Sequence, residues 1–225
     1  MTEELAIDAN ITQMSDGPNI LIVDYESGNL RSVARAIEKA GIKPQISGDP
    51  ATLESADAVV LPGVGSGDAA MAALRERELV EPLKLFIASG RPFLGVCLGL
   101  QLLMSWTEEG NTDCLGVFSG NVRHLPPDRK VPHMGWNRVR ISADHPVLDG
   151  LPRESYFYFV HSYYVDPKDS KVVIGSTDYG VTFPSICAEK NVIATQFHPE
   201  KSGSIGLRIY KNFVEHVQAV DAGSL

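Results

Sequence analysis

GVCLGLQ, residues 95–101, places a single cysteine between two glycines at the junction of two apolar runs. The run before the cysteine is typical of a strand and the run after it of a helix, so Cys97 lies at the turn between them. A turn of this kind is sharp, and small residues two positions before and after its centre prevent collisions with neighbouring elements. Gly95 and Gly99 occupy those positions. The stretch therefore predicts a nucleophile elbow in an α/β fold.

The same turn has consequences for the chemistry of Cys97. Backbone N–H groups at the start of the following helix would point toward the sulfur and favour the thiolate, which is the attacking form. The amide of Leu98 would then be placed to donate to an oxyanion. The alternative is structural, because cysteine is often fully buried and glycines often pack helices on strands. The heptapeptide alone leaves both interpretations open.

Strand and helix patterns alternate through the first half of the chain. Residues 19–25, NILIVDY, form a continuous apolar run of the kind found in strands buried on both faces. Helical spacing of Leu30, Val33 and Ile37 follows, and Gly41 stands where a left-handed cap belongs. The alternation continues through residues 43–47, 57–65, 67–77, 80–89 and 91–96. We predict the α/β class, with an open, mostly parallel, flavodoxin-like sheet and flanking helices.

Shorter strand-like runs follow residue 115 and predict antiparallel strands in the C-terminal half. The stretch CAEKNVIA, residues 187–194, predicts a hairpin that turns at Lys190 and Asn191, with the last strand ending at His198. Apolar residues at four-residue steps predict a closing helix around residues 205–217. We expect one domain over residues 19–218, with a loose extension at 1–18 and a tail at 219–225.

Composition and charge narrow the function classes. A net charge of −8, without a long Lys/Arg run, argues against nucleic-acid binding. The chain contains no apolar stretch near the length of about 18 residues that spans a membrane, and its acidic start differs from a secretory signal. We therefore expect a cytoplasmic protein without membrane contact. The three cysteines lack a Cys-x-x-Cys pattern, so neither a disulfide framework nor a metal site is expected.

A cysteine nucleophile needs a base, and His198 is the strongest candidate among the six histidines. If the preceding strand continues through the QFHPE stretch, Glu200 lies on the same face and can fix the imidazole tautomer. The alternatives are a surface His-Pro turn with a solvated glutamate, or a metal site that lacks an obvious third ligand. Together with the elbow, the order Cys97, His198, Glu200 favours a catalytic triad.

The stretch LPGVGSGD, residues 61–68, ends a predicted buried strand in a glycine loop. Gly63 and Gly65 would let the peptide at Val64 take either orientation, so that its amide can face a developing oxyanion. A phosphate cradle is the alternative, but the Lys-Ser/Thr pair of a P-loop and the dinucleotide glycine pattern are both missing.

At these residues the chain resembles the class I, triad-type glutamine amidotransferases. The pair GVCLGLQ and QFHPE carries that resemblance. Five further stretches resemble the glutaminase subunits of imidazole glycerol phosphate synthases, and the likeness extends over residues 19–217. They are DYESGNLRSVARAIEKAG at 24–41, LPGVGSGDAAM at 61–71, VPHMGWN at 131–137, YFYFVHSYYV at 156–165 and FHPEKSG at 197–203.

The resemblance implies glutamine hydrolysis through a cysteinyl γ-glutamyl thioester, without a cofactor or metal. Cys97 would attack the substrate carboxamide, His198 would transfer protons, and the amides of Val64 and Leu98 would bind the oxyanion. Four residues match positions that hold glutamine: Gln101, Glu109, Ser162 and Tyr163. Two alternatives stay open, an exposed helical position for Gln101 and a packed position at a sheet edge for Tyr163.

The resemblance also implies a separate (β/α)8-barrel cyclase partner that consumes the ammonia in a heterodimer, in histidine biosynthesis. Trp136 would lie at the interface, with a core position as the alternative. Met134, Asn137, Tyr158 and Lys201 match other positions near that contact. A hypothesis of gating follows, in which the partner and its ligand favour the Val64 peptide orientation that faces the oxyanion.

Two other functions remain open at this point. One is the glutaminase subunit of another class I amidotransferase, and the other is a non-catalytic binding module on the same fold. Cys114 and Cys187 have no local base and are predicted to be core residues. His161 is predicted to be a structural histidine that helps to position the interface.

Overall fold

The protein is described from a computed structural model that covers residues 17–223. Within these residues the helices are α1 Leu30–Lys39, α2 Gly67–Glu76, α3 Val80–Ala88, α4 Leu98–Leu102 and α5 Gly203–Asp221. The strands are β1 Ile20–Val23, β2 Gln45–Ser47, β3 Ala58–Gly63, β4 Phe93–Cys97, β5 Trp106–Thr107, β6 Thr112–Asp113, β7 Gly120–His124, β8 His133–Ile141, β9 Glu154–His161, β10 Tyr163–Pro167, β11 Val173–Asp178, β12 Thr182–Glu189 and β13 Val192–Thr195.

A nine-stranded sheet forms the centre of the fold, in the order β2-β1-β3-β4-β13-β12-β11-β8-β9. The first five strands in this order are parallel to one another. The remaining strands pair in antiparallel fashion. The predicted α/β class, with a parallel part followed by antiparallel strands, is confirmed. β13 joins the parallel part, because the hairpin that reverses β12 brings the chain back alongside β4.

The core lies on both faces of this sheet. On β1, Ile20 and Ile22 pack with α1 and α5 on one face. Leu21 and Val23 pack with α2 and α3 on the other. Successive side chains of a strand point to opposite faces, so a strand covered on both sides must be apolar throughout. This explains the continuous apolar run that begins at residue 20.

A second sheet has four strands in the order β10-β7-β5-β6. The aromatic run at residues 156–165 is one of the strand-like runs after residue 115 and has the pattern of a single strand, but it forms parts of two strands. It divides at Ser162, where β9 of the large sheet ends and β10 of the small sheet begins. This crossing places the residues around Ser162 between the two sheets, beside the end of β4.

Several element boundaries differ from the predictions. The hairpin turn at Lys190 and Asn191 is confirmed, but β13 ends at Thr195 and not at His198. Helix α4 has only five residues. It stops because the carbonyls of residues 102–104 accept hydrogen bonds from the backbone of residues 115–118. Helix α5 continues to Asp221, into the segment that the sequence suggested as a tail.

The ends of the chain fall outside this description. Residues 1–16 and 224–225 are not among the described residues, so the extension predicted at 1–18 lies almost wholly outside them. No helix in residues 17–223 combines the length and apolarity that crossing a membrane requires.

Candidate active site

Cys97 is the last residue of β4 and has an unusual backbone, with φ 54° and ψ −106°. The glycines around it are required by space. A Cβ at Gly99 would lie 1.9 Å from the carbonyl oxygen of Leu61, and one at Gly95 would lie 2.8 Å from Ala194 Cβ. Residues with positive φ outside glycine are uncommon and often mark functional sites. The chain therefore holds Cys97 in the sharp elbow that its sequence predicts.

His198 and Glu200 meet in a buried pair. Nδ1 of His198 lies 2.7 Å from Oε1 of Glu200, and their side chains are 1% and 0% exposed. The sequence suggested that the strand continues and places the two side chains on one face, but the strand ends before His198. A 3₁₀ turn over Pro199–Lys201 brings the carboxylate back to the imidazole. The surface-turn alternative is wrong, because both side chains are buried.

Two residues that sequence reasoning missed hold Glu200 in place. Asn29 Nδ2 donates to Oε1 over 2.5 Å. The hydroxyl of Tyr210 donates to Oε2 over 3.3 Å. Asn29 directly precedes α1, whereas Tyr210 lies in α5. The carboxylate is thus fixed from three separate elements.

The electrostatics favour a charged His198. Burial opposes the charge on its imidazole, but the Cys97 thiolate and the Glu200 carboxylate outweigh it and raise the pKa of His198 from 6.5 to about 10. The pKa of Glu200 is lowered even though burial alone would raise it, because His198 and Asn29 bond to the carboxylate. Within residues 17–223, His198 Nε2 has no hydrogen bond of regular geometry. Cys97 and Glu200 both raise the pKa of this imidazole, and the Cys97 thiolate contributes the larger part.

The Cys97 side chain is buried but reaches a cavity. Its sulfur lies 4.0 Å from the Val160 carbonyl oxygen. Gln196 Nε2, another residue that sequence reasoning missed, lies 3.8 Å from the sulfur. Leu98, which begins α4, lines the cavity beside Cys97. The nucleophile is therefore held by strand backbone and remains open to a small ligand.

This cavity has a volume of about 340 Å³ and brings together most of the predicted site residues. Three further lining residues, Pro132, Val160 and His161, were not predicted to form the pocket. The predicted residues that line it are Val64, Gly65, Cys97, Leu98, Gln101, Glu109, Ser162 and Tyr163.

Gly63 lies beneath the cavity and does not line it. It is paired with Cys97 across β3 and β4. A Cβ at this position would lie 2.1 Å from the Tyr25 hydroxyl. That hydroxyl donates to the Pro62 carbonyl over 2.8 Å. Tyr25 thus supports the base of the glycine loop, a contact that its sequence does not reveal.

The buried amide of Gln101 links the cavity to its walls. The Nε2 atom donates to the Tyr163 carbonyl oxygen over 2.9 Å and to Gln196 Oε1 over 3.1 Å. Gln101 is 6% exposed, so the alternative of an exposed helical position is wrong. The Glu109 carboxylate accepts the Gly67 amide over 2.6 Å. Burial raises the pKa of Glu109, an effect that this hydrogen bond partly offsets.

Tyr163 begins β10, which is an edge strand of the small sheet. Its ring packs against His124 in an edge-on contact with centroids 5.0 Å apart. Tyr163 therefore does have a packed position at a sheet edge, as the alternative interpretation suggested. Tyr163 also lines the cavity.

The residues matched to a partner surface are divided between two faces of β8 and β9. Met134 and Trp136 are 62% and 55% exposed, so the core alternative for Trp136 is wrong. Trp136 and Tyr158 are cross-strand neighbours with ring centroids 6.3 Å apart. Asn137 lies on the opposite face, where it contacts His133. Lys201 is exposed in the turn that follows Glu200.

Neither of the other two cysteines has a partner suited to catalysis among residues 17–223. Burial raises the pKa of Cys114 to about 11 and that of Cys187 to about 12. Cys187 is fully buried in the core, as predicted, whereas Cys114 is partly buried and packs against the core. In the described part of the chain, no three His, Cys, Asp or Glu side chains converge on a possible metal position.

Comparisons with known proteins agree with this geometry. The family model "Glutamine amidotransferase class-I" matches residues 21–217. The protein "Imidazole glycerol phosphate synthase subunit HisH" of Methanothermobacter thermautotrophicus is 50% identical over 201 residues, covering 89% of this chain and 100% of that one. The protein of the same name from Dehalococcoides mccartyi is 47% identical over 195 residues, covering 86% of this chain and 95% of that one.

Solved structures show the same fold at low identity. A putative GMP synthase component from Thermoplasma acidophilum has a TM-score of 0.71 at 20% identity, covering 93% of this chain and 98% of that one. The PurLQS structure from Thermotoga maritima has a TM-score of 0.72 at 18% identity, with 89% and 99% coverage.

Proposed function

Because this chain belongs to the class I glutamine amidotransferase family, we propose that it is the glutaminase subunit of imidazole glycerol phosphate synthase. It hydrolyses glutamine to glutamate and ammonia for histidine biosynthesis. The observation that carries the proposal is one arrangement of residues. A strained Cys97 opens onto a cavity of about 340 Å³, and the buried pair of His198 and Glu200 lies beside its sulfur.

The first half-reaction forms a thioester. The Cys97 thiolate attacks the carboxamide carbon of glutamine, a carbon–sulfur bond forms, and the carbonyl electrons move to oxygen. His198, which carries the proton taken from the thiol, donates it from Nε2 to the departing nitrogen. The carbon–nitrogen bond breaks and ammonia leaves. The raised pKa of His198 supports this role, because the imidazole is protonated at neutral pH.

The second half-reaction regenerates the enzyme. Neutral His198 accepts a proton from water at Nε2 while the water oxygen attacks the thioester carbon. The carbon–sulfur bond then breaks, and glutamate and the Cys97 thiolate form. Glu200 stays ionised throughout, holds the proton on Nδ1 and stabilises the imidazolium. The 2.7 Å contact between these side chains supports that assignment.

The oxyanion of each tetrahedral intermediate is bound by backbone amides. We assign this role to Val64 and Leu98, with Gly63 and Gly65 giving the loop its freedom to present the first amide. Both amide-bearing residues border the cavity. Gating by the partner acts on the Val64 peptide and raises the turnover number more than the affinity for glutamine.

Glutamine is bound in this cavity by Glu109, Ser162 and Tyr163. The Glu109 carboxylate suits the α-ammonium group of the substrate, while the segment at Ser162 and Tyr163 contributes polar backbone groups. Gln101 holds the Tyr163 carbonyl in place. These residues line one continuous cavity, which supports the assignment.

The partner is a (β/α)8-barrel cyclase subunit that uses the ammonia in a heterodimer. It covers the exposed face that carries Met134, Trp136 and Tyr158, together with Lys201. Exposed aromatic residues and methionine are enriched at such interfaces. Asn137 supports this face from the opposite side of the sheet. We place the activity in a single domain over residues 19–218 of a cytoplasmic protein.

The test is glutamate release from glutamine by the purified chain, alone and with the cyclase subunit and its nucleotide ligand. Strong stimulation by the partner is expected, with loss of activity in Cys97→Ala but not in the control Cys114→Ala. If a different synthase partner restores activity, the chain serves another class I amidotransferase. Unchanged activity in Cys97→Ala would refute the mechanism.

A further inference from the structure

Two buried histidines outside the triad lie side by side near the cavity wall. His133 is the first residue of β8 and His161 the last residue of β9, and the two are cross-strand neighbours. His133 is 3% exposed and His161 is 6% exposed. His161 also lines the glutamine cavity, whereas His133 does not. Neither of them takes part in the proton transfers of the triad.

The hydrogen-bond direction can be fixed from the Asn137 end. Asn137 Oδ1 accepts the amide of Arg138 over 2.7 Å, which determines the orientation of the side-chain amide. Its Nδ2 therefore donates, to the Asp178 carbonyl over 2.9 Å and to His133 Nε2 over 3.2 Å. Since His133 Nε2 accepts, a neutral His133 carries its proton on Nδ1.

The direction can be fixed independently from the Tyr163 end. Nδ1 of His161 lies 2.8 Å from the Tyr163 carbonyl oxygen, which can only accept. Nδ1 therefore carries the proton, and Nε2 of a neutral His161 accepts from His133 Nδ1 over 2.9 Å. Both ends give the same direction for the central hydrogen bond.

A proton added to either ring would place two donors against each other. Burial lowers the pKa of His161 to about 3. The hydrogen bond to the Tyr163 carbonyl raises this pKa, whereas His133 and His198 lower it further. Burial lowers the pKa of His133 to about 4. Both rings are therefore neutral at neutral pH, as the one-directional chain requires.

Aromatic packing holds the His133 ring in this orientation. Tyr179 stacks on it with centroids 4.0 Å apart and planes at 24°. Phe159 stacks with a centroid distance of 4.9 Å. Phe183 contacts both His133 and His161 edge-on. The rings are thus preorganised, and rotation of either one would break the chain.

We infer that Asn137, His133 and His161 form a one-directional chain of hydrogen bonds that positions the glutamine-binding segment at Ser162 and Tyr163. The Tyr163 carbonyl receives two donors, His161 Nδ1 and Gln101 Nε2. These bonds fix the point where the chain passes from β9 to β10 at the cavity wall. His133 and Asn137 are positioning residues that act through His161, and this role rests on the proposed glutaminase function.

Substitutions at His133 test the inference without altering the cavity lining. His133→Leu removes the donor to His161, whereas His133→Asn can retain an N–H near the position of Nδ1. We expect His133→Leu to raise the KM for glutamine by about fivefold to tenfold, with kcat within about twofold, and His133→Asn to restore most of the affinity. His216→Leu, at a histidine in α5 away from the cavity, is the matched control.

The assay uses the complex with saturating cyclase subunit, and the affinity for that subunit is measured for each variant. Unchanged KM in His133→Leu, absence of rescue in His133→Asn, or a KM change explained by weaker partner binding would each overturn the inference. Thermal unfolding identifies variants that fail to fold. If the His133 variants fail to fold, the inference is tested on the unsubstituted protein.

That test is nitrogen-15 NMR of the histidine rings in the free wild-type chain. We expect both His133 and His161 to be neutral Nδ1–H tautomers at pH 7. An Nε2–H tautomer or an imidazolium at either position would overturn the chain. Because this readout needs no turnover, it separates failure of the inference from failure of the proposed glutaminase function, which absent glutamine hydrolysis by the complex would indicate.

Discussion

Nδ1 of His198 lies 2.7 Å from Oε1 of Glu200, and both side chains are withdrawn from solvent. Only Pro199 separates the two residues in the chain, and the 3₁₀ turn at Pro199–Lys201 makes their contact possible. The pair is closed at its other end by Asn29 and Tyr210. This arrangement leaves His198 Nε2 for proton transfer at Cys97.

Glu200→Gln is expected to lower kcat by about 100-fold or more, because an amide can hold the imidazole but cannot stabilise its positive charge. The KM for glutamine is expected to stay within about threefold, since Glu200 does not line the cavity. Steady-state kinetics of the complex with its cyclase measure both constants. The control is Glu189→Gln, at the end of β12. An equal loss of kcat in this control would show that the effect is not specific to Glu200.

The triad also makes a pH-dependent contribution to stability. The pKa of His198 is raised from 6.5 to about 10, so its stabilisation is fully present below pH 6.5 and is lost as pH rises toward 10. The pKa of Glu200 is lowered, so its stabilisation is present above its ordinary value of 4.5 and is lost as pH falls through the lowered value. Urea unfolding across pH should therefore show the largest contribution of the pair between pH 4.5 and 6.5.

The comparison of wild type with Cys97→Ala separates the sources of this effect. The Cys97 thiolate raises the pKa of His198. Its removal should bring the loss of stabilisation on the alkaline side to a lower pH, as measured by the same unfolding experiments. An identical alkaline profile in the two proteins would contradict the close approach of Cys97 to His198.

The elbow was largely predictable, because its requirements are local. Two glycines around Cys97 and the apolar runs on either side specify a strand, a turn and a helix. The partners of Glu200 were not predictable in this way, since Asn29 lies 171 positions away along the chain. Contacts between distant elements leave no periodicity in the sequence.

Two further differences also arise from contacts between distant elements, whereas the position of Asn137 follows from local strand geometry. Gln101 is buried because its amide is satisfied by Tyr163 and Gln196, which tertiary packing alone brings near. The aromatic run at residues 156–165 divides between two sheets at Ser162, although its apolar pattern is nearly continuous. Asn137 faces away from Trp136 because strand alternation separates neighbours onto opposite faces.

Gly99→Ala is expected to destabilise the protein by about 1–3 kcal/mol, the usual cost of overpacking. The new Cβ would lie 1.9 Å from the Leu61 carbonyl oxygen, so the backbone of the elbow must shift. Thermal or urea unfolding measures the change in the free energy of unfolding. Loss of glutaminase activity should exceed the loss of folded protein, since the shift moves Cys97.

Gly90→Ala provides the matched control for this prediction. Gly90 has φ 82°, and a Cβ there would meet no described atom within 4 Å. This variant should show only the strain of an alanine at positive φ, about 1 kcal/mol, with activity per folded molecule unchanged. Equal activity of folded Gly99→Ala and Gly90→Ala would show that the elbow tolerates displacement.

Trp136→Ala is expected to weaken binding of the cyclase subunit by roughly thirtyfold or more, which corresponds to about 2 kcal/mol. Trp136 is 55% exposed and packs against Tyr158, so its removal opens little space in the core. Calorimetry or analytical ultracentrifugation gives the dissociation constant. The control Leu85→Ala, at a side chain that is 70% exposed on α3, should leave binding unchanged. Equal affinities in both variants would place the partner on another surface.

In the proposed mechanism, Cys97 becomes acylated during turnover. The most direct measurement is mass spectrometry of the complex quenched in acid within a single turnover, followed by peptide mapping of the trapped thioester. We expect a γ-glutamyl group on the peptide that contains Cys97 and on neither of the peptides that contain Cys114 and Cys187. Glutamate formation with an acyl group on another residue, or at the wild-type rate in Cys97→Ala, would show that Cys97 is not the nucleophile.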